Sequence, residues 1–175
     1  TEWGVGMRID EATSFPPAMA IGATRDASHA FRVGYVTARE ARALGVHQLY
    51  APVADVNNNP ENPIINIRSF GGAPPLVGTM ASAFVRGAQA GGTLATVKHF
   101  PGHGDTDVDS HLNLPVLRFD RSRLDSLELP PFRQAFDAAV RSVMTRHPAL
   151  PALAADTVPA TLSRPLTHRL PPAEP

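Results

Sequence analysis

With 175 residues, the chain is long enough for one domain with a real core and short for two. Sixteen basic side chains balance sixteen acidic ones, so no global field favours nucleic acid or an anionic membrane. The absence of cysteine excludes disulfide scaffolds and thiolate metal sites, and no run of about 18 apolar residues predicts a membrane-spanning helix.

The first residues, TEWGVGMRIDE, show no basic region leading into an apolar one, so no signal peptide is expected and a cytoplasmic setting is favoured. Without an initial Met, the N-terminus reads as incomplete. Ser14-Phe15-Pro16-Pro17 reads as a turn and Ala18 to Gly22 as a short apolar segment. Arg25 to Leu44 is predicted helical: Asp26 or Ser28 can cap it, Ala27, Ala30, Phe31, Gly34, Ala38 and Ala41 fall near helical spacing, and Gly45 suits the C-terminal end. Val46 to Val53 is predicted as a strand that runs into the turn residues Ala54 to Pro60.

A long loop, Asp55 to Pro75, contains Arg68-Ser69-Phe70-Gly71, and long loops within compact domains tend to be functional. Leu76, Met80, Ala83, Phe84 and Gly87 mark a second helix ending near Gly91-Gly92. Leu94 to Val97 then reads as a buried strand, with Asp120 to Leu129 and Phe132 to Arg141 as two helical pieces separated by Pro130-Pro131. Ser142 to Thr145 is a final short strand. Phe31, Phe84, Phe132 and Phe136 are expected in the core. Strands and helices alternate along the chain, which predicts a parallel α/β arrangement.

The chemistry concentrates in Leu94 to Pro115. Three of the seven histidines (His99, His103, His111), the only lysine (Lys98), and Asp105, Asp107 and Asp109 lie here, behind a strand's carboxyl end. Alone, His111 reads as a surface-loop histidine, His103 as structural and Asp55 as a supporting group. Arg68 reads as a substrate contact or a clamp on the Asn-rich turn. Lys98 and His99 alternate along a strand, so both can serve one ligand only if the strand is locally irregular.

Lys98-His99-Phe100-Pro101-Gly102-His103-Gly104-Asp105-Thr106 and Asp109-Ser110-His111 are joined by Ala51 to Asn57, Arg68 to Gly71, Phe15-Pro16, Met19-Ala20 and Val143-Met144-Thr145. In this order the segments resemble the N-terminal catalytic domain of glycoside hydrolase family 3, most closely its β-N-acetylglucosaminidase branch. The likeness covers residues 1–163 and leaves 164–175 as a Pro-rich tail. It implies a (β/α)8 TIM-barrel-type domain, present here as a partial barrel truncated at both ends. It also implies removal of terminal β-linked N-acetylglucosamine, a carbohydrate partner rather than nucleic acid or membrane, and a link to peptidoglycan recycling. No cofactor or metal is called for.

By the same resemblance, His111 is the general acid/base and Asp109 its orienting partner, while Lys98, His99, Arg68 and Arg8 hold the sugar. The family's nucleophile, an Asp on a later strand, has no counterpart among these residues, and Asp156 does not replace it. The chemistry is coherent, because a histidine titrating near neutrality can donate the proton when a carboxylate fixes its tautomer. Phosphorolysis is a variant of the same scheme, since a neutral histidine repels an anionic acceptor less than a carboxylate would. Two rival readings are a metal-dependent hydrolase using the His/Asp-rich loop and a non-catalytic remnant. Pro101-Gly102 weighs against the first, because a His-x-x-x-His pair usually needs a helix to align it.

Overall fold

The computed structural model describes residues 1–105 and 120–146. Its centre is a parallel three-stranded sheet of β1 (Gln48–Leu49), β2 (Leu94–Phe100) and β3 (Ser142–Thr145), in that order. The helices are α1 (Ala18–Ala23), α2 (Ala27–Ala43), α3 (Pro74–Ala90), α4 (Arg121–Arg123) and α5 (Leu129–Asp137). The chain passes from β1 through α3 to β2, and from β2 through α4 and α5 to β3. Parallel neighbours need such crossovers, and α3 and α5 pack on β2.

Local signals account for the helix ends. Asp26 caps α2 by accepting from Ser28 N at 2.9 Å, and Gly45 follows the helix with φ of 81°. Pro74 and Pro75 open α3, where their missing N–H groups cost nothing. Helix α3 is apolar nearly all round because α2 packs on one flank and α5 on another.

Three expectations change. The strand expected over Val46 to Val53 is regular only at Gln48–Leu49. Pro52 has no N–H for a ladder, yet the chain stays beside β2: Ala51 O accepts from Thr96 N, Pro52 O accepts from Lys98 N, and Ala54 N donates to Lys98 O. Phe31, expected in the core, is 37% exposed and stacks on Tyr35, with ring centroids 6.3 Å apart. The buried stripe of α2 is made of Ala30, Val33, Gly34, Thr37, Ala38 and Ala41, small residues that bring α3 close and leave large rings to the flank. The two helical pieces expected around Pro130-Pro131 form one continuous helical path. A wide π-helical turn, Leu124–Glu128, precedes the prolines, which then sit in the first turn of α5.

The core centres on Phe84, Phe132, Leu49, Met80, Val77 and Leu124, all essentially without exposure. Phe132 meets Phe100 edge to face at 5.4 Å, tying the end of β2 to α5. That contact fixes where the residues around Lys98 emerge.

Candidate active site

The site is built at the carboxyl end of β2. Pairing with β3 runs in register from Thr96 to Lys98 and then shifts before Phe100, and the Lys98–His99 peptide bond is cis. The strand's regular pairing is therefore broken at His99. Lys98 is 7% exposed, and its Nζ lies 2.7 Å from Glu2 Oε1.

Arg68 comes to the same carboxylate from the long loop. Asn62 Oδ1 accepts from Ile64 N and Ile65 N at 2.9 Å each, a turn that leads into the short 3-10 helix Asn66–Arg68. Arg68 Nη1 donates to Ile64 O at 3.0 Å, while Nε and Nη2 donate to Glu2 Oε2 and Oε1 at 2.9 and 2.6 Å. Burial pushes the Glu2 carboxyl up, but Arg68 and Lys98 outweigh it and bring its pKa to about 2. A carboxylate between two cations therefore persists throughout the neutral range.

Asp55 organises the neighbouring residues. Fully buried, it accepts from His99 N through both oxygens (3.3 and 3.2 Å) and from His103 N at 2.8 Å, with His99 Nδ1 at 2.6 Å. Burial would raise its pKa, yet the attraction of His99 and its hydrogen bonds hold it below the ordinary carboxylate range. A carboxylate on Nδ1 fixes the ring and leaves Nε2 for other partners. Ser69 Oγ lies 2.6 Å from Asp55 O, so the segment after Arg68 is tied to the same residue.

The loop after β2 is seated by close backbone approach. A Cβ at Gly104 would stand 1.6 Å from Val56 O, so only glycine fits. Asn62 Nδ2 donates to His103 O at 2.8 Å, and Arg123 Nη2 donates to Asp105 Oδ2 at 2.6 Å. Beneath Gly102 lies Glu128, 1% exposed, and Arg123 Nη2 is 3.6 Å from its Oε1. Burial, then the field of Asp55, pushes Glu128 up to about 7. Burial, and then Arg146, lowers His103 to about 4. Burial lowers Arg146 itself to about 10.

Of the residues expected to hold a sugar, Lys98 and Arg68 converge on Glu2, and His99, next in sequence to Lys98, is held by a different carboxylate, Asp55. Arg8 is exposed at the end of the 3-10 turn Val5–Met7 and does not join the Glu2 cluster. Asp109 and His111 lie outside the described residues. Among the described residues, no group of three or more His, Asp or Glu is placed to hold a metal ion. Sequence reasoning missed Glu2, Glu128 and Arg146. Glu128 carried a signal: it is the lone acid in Leu127-Glu128-Leu129-Pro130-Pro131-Phe132, an apolar stretch that has to be buried.

This is a parallel α/β domain with basic and histidine side chains gathered where the strands end, the position at which such folds place their chemistry. Residues 1–170 match the family model described as the glycosyl hydrolase family 3 N terminal domain. The chain belongs to that family of glycoside hydrolases. It is 42% identical over 148 residues to β-hexosaminidase A of Pseudoalteromonas piscicida, covering 82% of this chain and 25% of the relative. The structure of a family 3 β-N-acetylglucosaminidase from Paenibacillus sp. str. FPU-7 superposes with a TM-score of 0.90 at 46% identity, over 95% of this chain and 32% of that one. NagZ from Neisseria gonorrhoeae, solved with N-trifluoroacetyl-D-glucosamine, superposes with a TM-score of 0.81 at 34% identity, over 89% of this chain and 47% of that one. The chain thus spans between a quarter and a half of the length of these relatives.

Proposed function

We propose that these residues supply the sugar-holding and proton-transfer part of a retaining β-N-acetylglucosaminidase built on a (β/α)8-type barrel. The convergence of Lys98 and Arg68 at the carboxyl end of β2 carries the reading, because it collects hydrogen-bond donors where a pyranose would present adjacent hydroxyls. His99, held by Asp55, is the third sugar contact, and the family resemblance adds Arg8, which lies exposed and apart from the Glu2 cluster. Similarity to proteins named β-hexosaminidase and to a structure holding an N-acylated glucosamine supports the choice of sugar. Peptidoglycan fragments are the proposed source of substrate.

His111 then protonates the glycosidic oxygen as the bond breaks, with Asp109 fixing its tautomer and stabilising the imidazolium. The same imidazole later deprotonates the water that releases the sugar. The nucleophile in this scheme is the Asp that the family resemblance places on a later strand. His111→Ala is then expected to slow hydrolysis of unactivated N-acetyl-β-glucosaminides by about 100-fold or more, within the range of general acid catalysis. The 4-nitrophenyl substrate, whose leaving group needs little protonation, is slowed far less. Steady-state kinetics on the two substrate types checks this, and equal slowing of both overturns the assignment.

A further inference from the structure

We propose that Glu2 is a positioning residue of the sugar site: one carboxylate that locks Arg68 and Lys98 into a paired donor array for vicinal hydroxyls of a pyranose. The proposal rests on the N-acetylglucosamine reading above and assigns a role to a residue outside the expected sugar contacts.

Arg68 and Lys98 are like charges, and their side chains are only 25% and 9% exposed. Two largely desolvated cations repel unless an anion lies between them. Glu2 is that anion, itself 10% exposed at the side chain. Its Oε1 takes Arg68 Nη2 at 2.6 Å and Lys98 Nζ at 2.7 Å, and its Oε2 takes Arg68 Nε at 2.9 Å. The fork geometry fixes the guanidinium plane as well as its charge.

The remaining donors supply the function. Of the five N–H groups of a guanidinium, Glu2 and Ile64 O engage three; of the three on the ammonium, Glu2 engages one. Among the described residues the rest have no acceptor. They form a rigid, donor-only array, matched to the hydroxyl oxygens of a neutral sugar. Because its pKa is near 2, Glu2 stays ionised over any working pH and holds the array permanently.

The test is calorimetric titration of the protein with N-acetylglucosamine, with Glu2→Gln and Glu2→Asp beside wild type. Glu2→Gln keeps the shape but not the charge, and should weaken binding about tenfold, the scale of one charge-assisted hydrogen bond. Glu2→Asp keeps the charge and should restore part of the loss, which a merely structural side chain would not do. A second readout needs no sugar. Lys98 is the only lysine, so its acetylation by N-hydroxysuccinimidyl acetate can be followed as a single side-chain event by peptide mapping. It should run several-fold faster in Glu2→Gln. Wild-type binding undiminished in Glu2→Gln, or an unchanged acetylation rate, overturns the positioning role alone. Failure of wild type to bind overturns the N-acetylglucosamine reading and this role with it.

Discussion

Asp55→Ala is expected to destabilise the protein by about 3–5 kcal/mol, the usual cost of removing one partner from a buried charged network. The carboxylate is fully buried and is the acceptor for two main-chain N–H groups, those of His99 and His103, as well as for His99 Nδ1. Alanine leaves all three in a cavity without an acceptor, at about 1–3 kcal/mol each before relaxation. Asp55→Asn is the informative control. It keeps the volume and one oxygen, but turns an amide NH2 toward a donor, so its cost should be smaller and its damage to His99 nearly as great. Urea unfolding of the three proteins at neutral pH checks the order. An Asp55→Ala cost below about 1 kcal/mol, the worth of one ordinary hydrogen bond, would contradict the network.

Glu128→Gln is expected to act in the opposite direction, and only above about pH 4.5. The folded-state pKa of Glu128 is raised from 4.5 to about 7, chiefly by burial and then by Asp55. Asp105 adds to the rise, and Arg123 opposes it. Below pH 4.5 the carboxyl is neutral in both states and costs nothing. As pH rises from there, the unfolded chain loses its proton first, so stability falls until the folded group ionises near 7, and then levels off. The shift corresponds to about 3 kcal/mol. Glutamine never ionises, so the variant should exceed wild type at pH 8 by up to that amount and match it near pH 4. Thermal unfolding across this range reads the effect, and parallel pH curves for the two proteins would contradict it.

Lys98 and His99 could be placed at a strand end from the short apolar run Leu94 to Val97, and the need for an irregular strand followed from their alternation. Periodicity does not reveal where the irregularity falls, which is between Lys98 and Phe100. Composition overextends β1 because Tyr50, Ala51 and Val53 suit a strand, whereas Pro52 interrupts the ladder. Helical spacing puts Phe31 inside because it identifies a face but not its width, and small residues at the α2 crossing leave the ring at the flank.

Glu2 was illegible for a different reason. Its partners lie 66 and 96 residues away, and no local pattern distinguishes a carboxylate meeting distant cations from one in solvent. Asp55 was read as a supporting group, and the structure makes it the acceptor that joins the Arg68 loop, His99 and the loop after β2. Buried charges bind distant parts of a fold, and their partners emerge only once the chain is assembled.

The most direct measurement of the central claim is fluorine NMR of N-trifluoroacetyl-D-glucosamine, the sugar held by the Neisseria gonorrhoeae relative, titrated with this protein. If Lys98 and Arg68 hold the sugar, the fluorine signal shows a saturable shift or broadening, reversed by excess N-acetylglucosamine and lost in Lys98→Ala and in Arg68→Ala proteins that retain their circular dichroism. An unperturbed signal with wild type, or the same perturbation with both variants, would contradict it.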